Sequence, residues 1–349
     1  MAAIYLSSKD RLAFFTDLGT MLRAGIPILE AIDALQEDAK GEIKKALKKM
    51  HAALVNGQPL SEVMRQMPQA FDPVTVNLLQ AAEESGALEI ALQDLAISTQ
   101  KEIDFSDEIR ASMIYPIFVM VLFSGIVVLM LTFVIPRIAK VFVGLRVKIP
   151  PVTEFMINAS GYFTQNWRLM IAVGFVLLAA AAVIIKVRKR ELIRSLLALP
   201  GLRRLGRNID FARFTRSLGL LLKAGVPVNE ALTLSQRVVQ KREIDKLIID
   251  MRKQVDSGKP ISVSLRNAHR GIVPPMMVRA TETAESAGTL ETTMHDLSEY
   301  FERQVTRSLK TITALMEPIL LVVVGVMVGA LMITIIAPIY NMISQIRPN

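Results

Sequence analysis

An internal duplication constrains this chain more than any other feature. Leu22-Arg23-Ala24-Gly25-Ile26-Pro27-Ile28-Leu29-Glu30-Ala31-Ile32 returns 200 residues later as Leu222-Lys223-Ala224-Gly225-Val226-Pro227-Val228-Asn229-Glu230-Ala231-Leu232. Phe14, Leu18 and Gly19 recur as Phe214, Leu218 and Gly219, and Pro59-Leu60 recurs as Pro260-Ile261. Gly86-Ala87-Leu88-Glu89 recurs as Gly288-Thr289-Leu290-Glu291, and Pro116 and Pro136 recur as Pro318 and Pro338. The offset drifts only from 200 to 202. Each copy is a polar stretch followed by an uncharged apolar run, so the fold is expected to be one module used twice.

The repeated core reads as a helix, a turn and a second helix. Leu18, Met21 and Leu22 form one apolar face at helical spacing, and Ile28, Ala31, Ile32 and Leu35 form the next. Gly25 and Gly225 fall where the first helix should stop, because glycine enters the left-handed conformation without a Cβ clash. Pro27 and Pro227 are expected in the first turn of the next helix, where a missing N–H costs nothing. The plain reading of these residues is that they shape a turn.

Residues 10–113 read as about six helices, at roughly 10–24, 27–38, 41–55, 60–66, 73–84 and 87–112. Breaks are signalled by Gly25, Gly41, Gly57-Gln58-Pro59, Pro68, Pro73 and Gly86. Ile43, Leu47, Met50 and Leu54 keep the helical period, and no alternating β-branched run appears. The expected class is all-α: two homologous six-helix bundles and three transmembrane helices. The expected division is a bundle over 1–113, a span over 114–135, a loop over 136–168, a second span over 169–185, a second bundle over 186–317, a third span over 318–339 and a short tail over 340–349. The stretch Ile114–Ile135 carries no charge and would measure about 33 Å as a helix, enough to cross a bilayer. Tyr115 stands at its edge, Pro116 could kink it, and Glu317-Pro318 stands at the equivalent edge of the third span. Lys9, Asp10, Arg11 and Asp17 interrupt any apolar core of a signal peptide near the N-terminus.

Charge separates the two copies. Residues 1–113 hold 11 Lys/Arg against 17 Asp/Glu, and residues 186–317 hold 24 against 14. Similar cores with opposite surfaces point to different partners. Nucleic acid is a poor fit, because no helix reads as a recognition element and no aromatics interleave with the basic residues. Lys and Arg near the span ends number 13 on the bundle side and six on the other, so both bundles and the N-terminus are expected in the cytoplasm. The basic run over 186–207 suits that side and would also attract anionic headgroups.

No catalytic constellation emerges. There is no cysteine, and His51, His269 and His295 lack metal spacing. Ser257-Gly258-Lys259-Pro260 superficially resembles the end of a phosphate loop, but the upstream glycine and the Ser/Thr after the lysine are missing. Glu83-Glu84 and Glu282/Glu285 read as solvated surface acids or helix-end groups beside Gly86 and Gly288; a cation shared between carboxylates is the weaker alternative. The spans contain no Asp, Glu, Lys, Arg or His, so no ion relay is visible. Gly325 and Gly329 form a small-xxx-small pair that suits either plain packing or an oligomer contact. No cofactor or metal is expected.

Two copies of Leu-x-Ala-Gly-[Ile/Val]-Pro-x-x-Glu-Ala, each followed by Glu-x-x-Gly-x-Leu-Glu and a terminal span, resemble the type II secretion F / type IV pilus platform proteins. The second motif stands here as Glu83…Gly86-Ala87-Leu88-Glu89 and Glu285…Gly288-Thr289-Leu290-Glu291. The resemblance covers nearly all of residues 10–340. It implies a non-enzymatic, multi-pass protein of the bacterial inner membrane, working in pilus assembly or protein secretion. It implies as partners a cytoplasmic hexameric ATPase, pilin or pseudopilin subunits, other inner-membrane assembly proteins and the lipid bilayer, with a homo-oligomer expected. Many family members carry a further cytoplasmic segment before the first repeat, whereas here the repeat begins almost at once; this leaves pilus and secretion system both open and raises a type IVb-like pilus. A membrane-anchored signalling scaffold is the alternative, and a small transporter a more distant one.

Overall fold

Turn chemistry and apolar period together dictate the observed elements. The structure, a computed structural model, describes residues 4–137, 158, 161–162, 200–268 and 271–346. In the first repeat these form α1 (Ser8–Arg23), α2 (Ile28–Asp38), α3 (Gly41–Val55), α4 (Leu60–Arg65), α5 (Pro73–Ser85) and α6 (Leu88–Leu129), the last passing into a π-helical segment, Met130–Val134. The second repeat forms α7 (Pro200–Lys223), α8 (Val228–Ser235), α9 (Arg242–Asp256), α10 (Ile261–Asn267), α11 (Pro275–Ala287) and α12 (Leu290–Ile346). No strand occurs among the described residues. The expected second span, 169–185, lies outside them, as do most of the 136–168 loop, residues 186–199 and His269.

The described residues divide into two compact units. The first ends at Glu108 in the first repeat and at Arg307 in the second; the other takes over from Ile109 and from Ser308. Within the first unit, each repeat buries a core chosen by helical period. Phe14, Phe15, Leu18, Ile32, Leu47, Met50 and Leu79 are buried in the first repeat, with Ile43 and Leu54 packed at its margin. In the second, α9 buries Ile244, Leu247, Ile248 and Met251, the i, i+3, i+4, i+7 stripe of an amphipathic helix. Each such side chain contributes about 1.5–3 kcal/mol on burial. The aromatic packing differs between the copies. Phe14, Phe15 and Phe71 form a tilted trio with centroids 5.6–6.2 Å apart, whereas Phe211 stacks on Phe301 at 5.0 Å.

The sequence runs 87–112 on into the apolar stretch as one long helix over 87–135, and α6 does continue through Pro116 to Leu129. One boundary differs: α12 does not stop at 339 but runs to Ile346, passing through Pro318 and Pro338. Each proline removes one backbone hydrogen bond and crowds the carbonyl four residues before it; in an apolar surrounding the rest of the ladder keeps the helix going. The apolar parts of these helices are not core. The window in α6 has a mean hydropathy of 2.9 and is 0% buried, and that in α12 is 6% buried. Such length and apolarity without burial fit a bilayer as solvent, not a protein interior.

Candidate functional site

The motif residues concentrate at helix ends. Gly25 and Gly225 have φ of 81° and 79°. Around Gly25, the Ile26 N–H reaches the Met21 carbonyl at 3.1 Å and the Gly25 N–H reaches Leu22 at 2.9 Å; Val226 and Gly225 repeat this on Leu221 and Leu222. This paired closure satisfies two carbonyls left free at the helix end. Pro27 and Pro227 then stand at the N-cap of α2 and α8, one position before the expected first turn. They carry φ near −55° with extended ψ, so they aim the chain into the helix without entering it. The Ser257-Gly258-Lys259-Pro260 stretch is the same stop-and-restart device, with Lys259 N–H closing on the Gln254 carbonyl at 2.8 Å.

The second motif joins two helices. Gly86 and Gly288, both at φ 71°, end α5 and α11 and release α6 and α12. Three residues earlier, Glu83 turns inward: Oε1 accepts from the Leu60 N–H at 2.6 Å and Oε2 from the Ser61 N–H at 3.1 Å, and the Ser61 hydroxyl also donates to it. Glu285 accepts in the same way from the Ile261 and Ser262 N–H groups. The helices so capped, α4 and α10, begin at Pro59 and Pro260, which have no side-chain cap to offer. A carboxylate from the neighbouring helix supplies the acceptor and complements the positive end of the helix dipole. Glu84 and Glu282 do not share this role: Glu84 accepts from Gln80, and Glu282 from Arg266. Leu88 packs on the core, while Glu89 and Glu291 are exposed in the first turns of α6 and α12. Glu30 and Glu230 occupy the first turns of α2 and α8, exposed and without a hydrogen bond or ion pair among the described residues.

The remaining positions lie along the long helices. Tyr115 is exposed, Pro116 is buried, and Glu317, Pro318, Gly325 and Gly329 are exposed. Among the described residues, a Cβ on either Gly325 or Gly329 would meet nothing within 4 Å, so neither glycine is required for packing against them.

The junction between the two repeats was not singled out in the sequence, although its charge asymmetry signalled it. Arg216 on α7, with only 10% of its side chain exposed, bonds Glu102 on α6 at 2.6 Å and also Glu302 on α12. Arg213 adds a 3.4 Å pair to Glu102, and the Arg216 guanidinium lies 5.7 Å from the Phe105 ring centroid. Lys101 on α6 reaches Glu299 on α12 at 3.1 Å, holding that carboxyl below its ordinary range, and Lys223 grips both Asp94 oxygens at 2.7 Å. Part of the opposite charge of the two repeats is therefore neutralised between them. A buried acid sits nearby on α7: Asp210 accepts from the Gln240 and Lys241 N–H groups at 3.0 and 2.6 Å, and burial raises its pKa despite them. What this arrangement does chemically is hold helices together. His51 and His295 lie on α3 and α12, beside Asp33 and Glu299 respectively.

The model of "Type II secretion system (T2SS), protein F" matches the chain twice, over residues 14–136 and 214–338. The chain belongs to the type II secretion system protein F family. The two matches reproduce the duplication at its offsets of 200 and 202. The chain is 29% identical to the type IV pilus assembly protein PilC of Thermus thermophilus over 347 residues, covering 97% of this chain and 84% of that one. It is 29% identical to PilC of Pseudomonas aeruginosa over 341 residues, covering 95% and 89%. Type II secretion system protein F of Pseudomonas aeruginosa is 28% identical over 346 residues, covering 97% and 84%. Family membership and the two unburied apolar helices agree on a membrane protein of the pilus-assembly and secretion class.

Proposed function

We propose that this protein is a non-enzymatic inner-membrane platform that couples a cytoplasmic hexameric ATPase to the assembly of pilin or pseudopilin subunits. The observation that carries this reading is the make-up of α6 and α12. Each carries core residues at one end, such as Leu92 and Leu95 or Met294, Leu297 and Phe301, and an unburied apolar run at the other. In each repeat one helix runs from the core residues to the apolar run, so displacement of a soluble bundle is passed along it toward the bilayer. In this reading both bundles and the N-terminus are cytoplasmic, 169–185 is the middle of three spans, and residues 136–168 and the C-terminal tail face the periplasm. The excess of Lys and Arg on the bundle side supports that orientation. Glu30 and Glu230 are proposed partner contacts, since each recurs at the same turn, is exposed, and caps nothing.

The test places two glycines into α12 after Thr311. The variant is expected to insert and to co-purify with the assembly ATPase, while filament or secretion output falls at least tenfold. Undiminished output would refute force transfer through α12. Reporter fusions at residues 1 and 349 test the orientation, with the first cytoplasmic and the second periplasmic.

A further inference from the structure

The repeats meet in a way that leaves each with an unfilled half of the same interface. In the chain, α5 and α6 of the first repeat seat on α7 and α8 of the second. Leu220 and Ala224 pack against the first repeat's core, and Lys223 pairs with Asp94. The counterparts of α7 and α8 are α1 and α2, and those of α5 and α6 are α11 and α12. Among the described residues, α1 or α2 against α11 is not one of the substantial helix contacts. The contact is therefore heterologous, and such a contact can be repeated from copy to copy.

Exposure marks the two unfilled halves. Val226, in the turn between α7 and α8, is 8% exposed, and its counterpart Ile26 is 37% exposed. Val74 on α5 is 8% exposed, and its counterpart Met276 on α11 is 49% exposed. An open groove of about 420 Å³ runs beside Thr16, Thr20, Arg23 and Ile97 on the first repeat. Another, of about 670 Å³, runs beside Met276, Arg279, Thr293 and Asp296 on the second. The charges match as well. Arg23 is the counterpart of Lys223, and Asp296 that of Asp94. Both are exposed, with no ion pair among the described residues.

We propose that the α1/α2 face of one copy receives the α11/α12 face of a second copy of this chain, with Arg23 of one paired to Asp296 of the other. The contact repeats the joint inside the chain. It is weaker than that joint, because the counterparts of Arg213, Arg216 and Glu102 are Ala13, Thr16 and Gln304. Reversible association in the membrane follows. The inference rests on the repeats alone and stands apart from the ATPase coupling.

The chain has no cysteine, so introduced thiols report single positions. The full-length protein in nanodiscs, each loaded with more than one copy, is oxidised and run without reductant. Arg23→Cys with Asp296→Cys is expected to give covalent dimers. Either cysteine alone is expected to give at least fivefold fewer, since a heterologous contact does not bring a residue beside itself. Asp94→Cys with Lys223→Cys, closing within the chain at monomer mobility, is the control for a folded joint. In a second measurement, Arg23→Asp lowers the dimer fraction in detergent severalfold, and adding Asp296→Arg restores it. A double-cysteine variant that stays uncrosslinked while the control closes, a 23–296 bond at monomer mobility, or equal dimers from Arg23→Cys alone overturns the proposal.

Discussion

Glu83 caps a helix that began 23 residues before it, its Oε1 accepting from the Leu60 N–H at 2.6 Å. Glu285 does the same for Ile261 in the second repeat. The two carboxylates tie the ends of α5 and α11 to the starts of α4 and α10, beside the glycines that release the long helices. Glu83→Ala leaves the Leu60 and Ser61 N–H groups without their acceptor in a partly buried place. The expected loss is about 1–3 kcal/mol in denaturant unfolding. Amide exchange at Leu60 and Ser61 should rise. Glu83→Gln, which keeps one acceptor oxygen, should lose less.

Close helix packing separates Gly19 from Gly219. A Cβ at Gly219 would lie 3.2 Å from the Glu291 carbonyl and the His295 nitrogen, both backbone, whereas at Gly19 the nearest atom is the Leu92 Cβ at 3.3 Å. Neither a helix backbone nor a Cβ fixed to it yields readily, but Gly219 meets three such atoms at 3.2–3.3 Å and Gly19 only one. Gly219→Ala is expected to destabilise by about 1–3 kcal/mol and Gly19→Ala by less, read as the difference in unfolding midpoint.

Arg216 and Lys223 both cross between the repeats, but their surroundings differ. Arg216 is nearly enclosed and holds two carboxylates, while the Lys223 side chain is 56% exposed. Arg216→Leu leaves Glu302 with the Ser298 hydroxyl but without its cation and weakens the hold on Glu102, with an expected loss of about 2–3 kcal/mol. Lys223→Ala should lose less than about 1 kcal/mol, and salt should erase most of that. Unfolding of the two variants at low and high ionic strength checks the contrast.

Asp210 gives a pH dependence with a defined sign. Burial raises its pKa, so the folded chain holds this proton over a window in which the unfolded chain has released it. Stability contributed by this group therefore falls as pH rises from the ordinary carboxylate value through the raised one, and is greatest below that window. Asp210→Asn keeps an oxygen for the Gln240 and Lys241 N–H groups and removes the proton. The slope of unfolding free energy against pH should flatten in that window. An unchanged slope would assign it elsewhere.

Local chemistry was readable residue by residue. The glycine stops at 25, 86, 225 and 288 followed from the steric freedom of that residue, and the apolar stripes followed from the 3.6-residue period. Pro27 was displaced by one position because N-cap and first-turn prolines share nearly the same φ, and only the ψ distinguishes them. The roles of Glu83 and Glu285 were open, since a glutamate near a helix end reads alike whether it faces water or another helix.

Duplication, class, and the two long apolar helices were written in the order of residues, because periodicity and turn chemistry act over a few neighbours. Tertiary structure alone chose which carboxylate caps which helix, that Arg216 bridges Glu102 and Glu302 across 114 and 86 residues of chain, and which faces of the repeats meet. Those choices depend on distances between segments far apart in the chain, and a one-dimensional pattern carries no such distances.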